Sequence, residues 1–225
     1  MKRNQSGFTL IEIAIVLVII GLLLGGVLKG QELINSARVK NLAGDFKNIP
    51  VFIYGYQDKF KALPGDQAQG RLDTQFPPAA TATACGATVA GACDAGSGVI
   101  DGLWNASAVT SESFLFWQHV RLAGLAPGPT ATGAADYLPL NAVGGAIGVT
   151  NVAQTPITGL RGSYIICSNG IAGKFAKQLD TTLDDGNTAT GSLMVTTAGN
   201  STPAIAPIAT GTLVDDTPYL VCMGV

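Results

Sequence analysis

The chain is short of charge. Only 12% of its 225 residues are Asp, Glu, Lys or Arg, about half the share found in an average soluble domain. Thirteen basic groups against fifteen acidic ones leave a net charge of −2, which excludes a protein built mainly on a basic nucleic-acid surface. A single histidine, His119, excludes a histidine-cluster metal centre and leaves most histidine-dependent catalysis without partners. The sequence contains no Gly-x-Ser-x-Gly, no Walker loop, no Gly-x-Gly-x-x-Gly and no zincin motif, so the usual marks of several hydrolase and nucleotide-binding classes are missing. Nor is there a Cys-x-x-Cys pair, which argues against zinc.

What the chain has instead is apolar residues, unevenly placed. The overall apolar fraction of 47% is ordinary and argues against wholesale disorder. Twenty-nine glycines and eleven prolines make loops plentiful. Between Phe8 and Leu28, however, sixteen of 21 residues are apolar, three are glycine, and the other two are Thr9 and Glu12. As a helix this block is about 32 Å long, enough to cross a bilayer core. It has no polar face, as a buried helix of a soluble domain would. Ahead of it stand Lys2 and Arg3, whose positive charge favours the cytoplasmic side, so the rest of the chain is expected across the membrane. No Ala-x-Ala site follows the block, so it reads as a retained segment rather than a cleaved secretory signal.

Glu12 is the exception inside the block. A lone carboxylate at membrane depth costs about 2.5–3.5 kcal/mol, less near an end. The residue either snorkels, takes up a proton, or finds a positive partner on another chain. Here the residues fit a family. Gly7-Phe8-Thr9-Leu10-Ile11-Glu12 behind a short basic leader resembles the class III signal of type IV pilins and pseudopilins, over about residues 1–35. The resemblance implies that a prepilin peptidase cuts between Gly7 and Phe8 and methylates the new Phe8 amine. It also implies that Glu12 pairs with the Phe8 amine of a neighbouring subunit during assembly. In a medium of low dielectric such a pair attracts strongly and an unpaired partner is penalised.

The helix is expected to run past the membrane to about Lys61. Leu42, Phe46, Ile49, Ile53, Tyr56 and Phe60 recur at spacings of three and four, the mark of one helical stripe. The stripe keeps phase across Pro50, so that proline is expected to kink the helix rather than end it. Leu63-Pro64-Gly65-Asp66 is a stop signal. The predicted organisation is a leader (1–7), a membrane and filament-core helix (8–28), its amphipathic continuation (29–63) and a globular head (64–225). Gly21, Gly25 and Gly26 lower helix propensity or permit close packing; no proline follows them at the membrane boundary, as one does in many major pilins.

In the head, Phe76–Gly98 reads as a long loop and Ser111–Ala123 as a helix stopped by Gly124. Residues 143–152, 163–168, 192–197 and 219–223 read as strands, and 171–179 as a short helix. The fold expected is α+β: a long N-terminal helix packed on an antiparallel sheet, the lollipop of the pilin family. Three further motifs, Leu63-Pro64-Gly65-Asp66, Trp117–Leu125 with its His119 and Leu183-Asp184-Asp185-Gly186, also resemble segments of bacterial prepilin-type proteins. Cys85, Cys93, Cys167 and Cys222 fit an oxidising compartment and allow three pairings. The pairing favoured joins Cys85 to Cys93 across a small loop and Cys167 to Cys222, a staple of the C-terminal region that pilins commonly have. Asp180, Asp184, Asp185 and Asn187 read first as a turn, with Ca²⁺ as the weaker alternative; no other cofactor is expected. His119 reads as a packed residue rather than a catalyst.

The resemblance implies a structural subunit, not an enzyme. Its implied partners are copies of itself in a helical filament, the prepilin peptidase, an inner-membrane assembly platform and lipid before assembly. Nucleic acid is not expected as a specific ligand. The chain would sit once through the bacterial inner membrane with its head outside the cytoplasm, and later in an extracellular pilus or a periplasmic filament. A type II secretion pseudopilin is the nearest alternative. A membrane-tethered periplasmic enzyme or binding module is the alternative of another class, and it requires a polar cleft with perturbed carboxylates. Replacing the small residue at the cleavage point, Gly7→Ala, is predicted to block processing. Mass spectrometry of the membrane-extracted protein should then show the leader retained, whereas the parent loses residues 1–7.

Overall fold

The computed structural model describes residues 9–77, 81–86, 90–199 and 204–225. Gly7, Phe8 and the basic leader lie outside the described residues, as does part of the predicted loop 76–98. Helix α1 spans Leu10–Phe60 without a break and runs on through Pro50. The chain divides into two compact units, Met1–Arg38 and Val39–Val225. From Val39 onward the helix belongs to the globular unit. The cause is burial, because Val39, Leu42, Ala43, Phe46, Ile49, Ile53 and Tyr56 are core residues, spaced as one face of a helix. Lys61, at φ +52, ends α1 in the left-handed region, where a helix cannot continue.

In the C-terminal unit, α2 (Gln69–Gln75), α3 (Glu112–Leu122) and α4 (Gly173–Leu183) accompany a four-stranded antiparallel sheet. The strands are β1 (Ile147–Asn151), β2 (Tyr164–Ala172), β3 (Leu193–Thr197) and β4 (Pro218–Gly224), in the order β1-β2-β4-β3. The class is α+β, as predicted. Helix α2 was not foreseen, and the predicted helix at 171–179 is displaced. Ile171 and Ala172 belong to β2, which continues through an irregularity after Ser168 where Gly170 adopts φ +75, and α4 starts only at Gly173.

Both faces of the sheet are covered. Ile147, Val149, Tyr164, Ile166, Val195, Val221 and Met223 meet the α1 stripe and α3 in the main core. The alternate residues Ile165, Cys167, Met194, Leu220 and Cys222 meet Trp104, Ile157 and Leu160 in a smaller one. The period of two thus sends each strand's side chains to opposite cores, which is why the strands are apolar almost throughout. Cys167 and Cys222 face each other across β2 and β4 and are disulfide-bonded, as are Cys85 and Cys93. Gly148 shows how closely the second layer approaches: a Cβ there would lie 1.7 Å from the Trp104 carbonyl oxygen.

The two bridges should differ in weight. With sequence separations of 55 and 8, loop-closure entropy predicts that removing Cys167–Cys222 costs about 4 kcal/mol and removing Cys85–Cys93 about 2.5 kcal/mol. Urea unfolding of the Cys167→Ala/Cys222→Ala and Cys85→Ala/Cys93→Ala double variants should reproduce that order.

Candidate functional site

Among the described residues, the N-terminal half of α1 has no partner within its own chain. Its most apolar stretch is wholly unburied, and Leu10, Leu22 and Leu28 stand 89, 74 and 66% exposed. Burying one such side chain is worth about 1.5–3 kcal/mol, so the run as a whole represents tens of kcal/mol that only an apolar environment can supply. Gly21, Gly25 and Gly26 are helical, and a Cβ at any of them would meet nothing within 4 Å.

At the head of this run, Glu12 and Thr9 bond reciprocally. The Thr9 amide donates to Glu12 Oε2 at 2.8 Å, the Thr9 hydroxyl donates to the same oxygen at 2.7 Å, and the Glu12 amide donates back to Thr9 Oγ1 at 3.3 Å. This is a capping box: Thr9 stands just before the helix, and Glu12 is its third residue. Among the described residues, no lysine or arginine pairs with Glu12. The carboxylate is thus held by local donors, a solution that the readings of snorkelling, protonation and an intermolecular partner all missed. Thr-x-x-Glu ahead of an apolar run was the available signal. Oε2 takes both local bonds, and Oε1 takes none among the described residues. The implied partner, Phe8, lies outside the described residues.

The second group of singled-out residues gathers on α3, most of which is buried, polar side chains included. His119 is fully buried; its Nδ1 accepts from the Gly65 amide at 2.8 Å, and its Nε2 lies 2.9 Å from the Thr83 carbonyl. These partners fix the neutral tautomer with the proton on Nε2, and burial pushes the ring's pKa down to about 4. Gly65 fits only as glycine, with φ +94 and a Cβ position 2.4 Å from the Glu112 carbonyl oxygen. Two motifs distant in sequence, Leu63–Asp66 and Trp117–Leu125, therefore interlock.

Asp66 accepts from the amides of Gly96, Ser97 (3.0 Å) and Gly98 (2.8 Å). Glu112 accepts from Asp94 and Asp101 at 2.7 and 2.9 Å. Burial pushes Glu112 up to about 7, opposed by those two amides and aided by the charges of Asp66 and Asp101. Arg121 donates to the carbonyls of Pro127, Pro129 and Tyr137. Each polar group is spent on backbone: both oxygens of each carboxylate are engaged, and neither nitrogen of His119 is free for proton transfer. Cys85, Cys93 and Glu112 bring ligand-type atoms together, but the disulfide removes both thiolates as metal ligands.

Asp180, Asp184 and Asp185 are gathered at the end of α4, with carboxylate oxygens within 4.8 Å of one another. The Asp184 carboxylate accepts from the Leu193 amide at 2.8 Å; that of Asp185 accepts from the Asn187 amide and the Thr190 hydroxyl. Asn187 thus closes the turn predicted around Gly186.

Residues 2–28 match the family model described as the prokaryotic N-terminal methylation motif, the signature of type IV prepilin-type proteins. That motif is structural, not a mark of an enzyme family, and with the apolar helix it fits an inner-membrane anchor before assembly. No curated protein and no solved structure matches the chain.

A buried neutral histidine has a pH signature of known sign. Its folded-state pKa lies below its unfolded value, so the unfolded chain takes up a proton first and stability falls as pH drops from about 6.5 to about 4. Glu112 acts in the opposite sense, losing stability as pH rises from about 4.5 through 7. Against a His119→Gln variant, which cancels the other groups, the parent should lose about 2–4 kcal/mol between pH 7 and pH 4. Denaturant unfolding of the detergent-solubilised protein across that range measures it.

Proposed function

We propose that this chain is the precursor of a structural subunit of a type IV pilus or pilus-like filament. In this reading it is cleaved between Gly7 and Phe8, methylated on the Phe8 amine, and assembled through the apolar half of α1. The observation that carries the reading is that half itself: a helix with every large apolar side chain from Leu10 to Leu28 exposed and a single charged residue, Glu12, near its start, within the matched motif.

Lipid covers the helix first. In the filament, other copies of the same helix take lipid's place, so the apolar surface never meets water. The glycines at 21, 25 and 26, with open space around them, admit close approach of neighbouring helices. Glu12 offers Oε1 to the methylated amine of an adjacent subunit while Thr9 keeps Oε2. A subunit out of register leaves that amine without its carboxylate, and the mispaired charge in low dielectric penalises the wrong stacking.

The head supplies a stapled outer part. Its exposed ion pairs, such as Lys174–Asp216 and Lys177–Asp215, add little stability and leave few charges to repel neighbouring heads. The buried carboxylates and histidine of α3 are occupied by backbone groups, which favours a structural role over a tethered enzyme. Catalysis in this reading belongs to the maturation peptidase, whose substrate is the chain.

Glu12→Ala should leave membrane insertion intact and abolish or strongly reduce filaments, scored by membrane fractionation and by immunoblotting of sheared surface material. Wild-type filament yield from that variant would refute the role of Glu12. N-terminal sequencing of the sheared protein should begin at N-methylated Phe8, and recovery only from periplasmic fractions would assign the short secretion-type filament instead.

A further inference from the structure

Between α1 and α3 lies a cavity of about 240 Å³, walled in part by Phe52, Trp117, Pro127 and Leu140. Two residues of opposite charge also line it, Asp45 from α1 and Arg121 from α3. They do not neutralise each other, and among the described residues neither forms an ion pair. Arg121 is only 8% exposed. Its Nε and Nη1 donate to the carbonyls of Pro127, Pro129 and Tyr137, while Nη2 makes no hydrogen bond among the described residues. Those carbonyls solvate the guanidinium but bring no counter-charge. The faces of Trp117 and Tyr137, with ring centroids 5.8 and 5.2 Å from Cζ, offset only part of the deficit. Asp45 is half-buried, and its Oδ2 is buried without a partner. Burial raises the pKa of this carboxyl, opposed by the Ala142 amide. One cavity thus holds a cation and an anion, each carrying a desolvation cost that a complementary charge would offset.

From this we infer that the cavity binds one small zwitterion with an apolar body, an amino acid or dipeptide with an aliphatic side chain. The ligand carboxylate meets Arg121, whose Nη2 has donors to give. The ligand ammonium meets the Asp45 carboxylate, and the aliphatic part lies against Phe52, Trp117 and Pro127. Leu140, 67% exposed, stands on the open side. The volume is below the roughly 300–1,000 Å³ of sites for drug-sized ligands, which restricts the occupant to a small molecule. Charge restricts it further. A phosphate or a simple carboxylate satisfies Arg121 but sets a like charge near Asp45. A lysine side chain from another protein does the reverse, adding a second cation beside Arg121. Only a ligand with both charges relieves both walls. The cavity belongs to the C-terminal unit, Val39–Val225, so the inference stands whether or not the chain forms filaments.

Ligand-observed NMR titration of the whole protein in lipid nanodiscs tests this. Leucine and alanyl-leucine are the ligands; isocaproate and isoamylamine are leucine without its ammonium or its carboxylate. Expected is saturable binding of a zwitterion, at least roughly tenfold tighter than either singly charged analogue. The tighter of leucine and alanyl-leucine then fixes whether one residue or two are accommodated. Asp45→Asn keeps the size of the side chain and removes its charge. It should abolish the zwitterion's advantage over isocaproate while isocaproate still binds, a result that loss of folding would not give. If that variant does not fold, the analogue comparison on the parent decides alone. The inference is overturned if neither zwitterion saturates below about 10 mM, if a singly charged analogue binds as tightly, or if folded Asp45→Asn keeps the preference.

Discussion

The structure depends on an imbalance of solvation. From Leu10 to Leu28 the chain carries an apolar surface worth tens of kcal/mol, and none of the described residues covers it. The C-terminal unit has a core of its own. It uses only the part of α1 that begins at Val39, where buried residues return every three or four positions. One helix therefore has two different solvents written into it, and the change falls where the exposed apolar run gives way to a buried stripe. Any function consistent with this chain must provide an apolar environment for the first part at every stage.

The head solves a different problem, that of holding long irregular loops with a small sheet and few charges. The segment from Phe76 to Ser111 has no helix or strand among its described residues, and its amides need partners. Glu112 and Asp66 supply them, each taking amides from the loop between Asp94 and Asp101. Gln118 takes the Thr83 amide and donates to the Thr130 carbonyl. These are charge-assisted or buried bonds, stronger than exposed ones, and leaving one amide orphaned costs about 1–3 kcal/mol. Polar residues that would mark an active site if they faced a cleft here act as anchors for backbone.

Legibility in the sequence followed the range of the interaction. The α1 stripe could be read because its period is local and long. Strand positions could be read to within a few residues for the same reason, and the leader motif because it is contiguous. What could not be read were couplings between distant positions. Leu63-Pro64-Gly65-Asp66 announced a stop, but nothing near it says that Gly65 must clear the Glu112 carbonyl or that its amide meets His119. Asp66 finds its donors some thirty residues away. The start of α4 was misplaced because Ile171 and Ala172 suit strand and helix alike; their pairing with Tyr219 and Pro218 decides the matter. Thr9 was the exception, a short-range signal passed over because the cost of a carboxylate in lipid directs attention outward to another chain rather than three residues back.

The Thr9 bonds change what Glu12 requires of a neighbour. If its only remedy were a neighbour's amine, the precursor would hold an unmet charge for as long as it waited in the membrane. The capping box removes that difficulty: two donors from Thr9 satisfy one oxygen, and the bond from the Glu12 amide closes the helix start. Cleavage between Gly7 and Phe8 would spare Thr9, so the cap would survive maturation. In the proposed filament the incoming amine therefore meets a carboxylate already oriented, with one oxygen committed and one to give. The gain on pairing is smaller than for a bare charge, because part of the desolvation cost has been met within the chain. The selectivity comes from orientation instead, since a carboxylate pinned by Thr9 receives a donor from a limited range of directions.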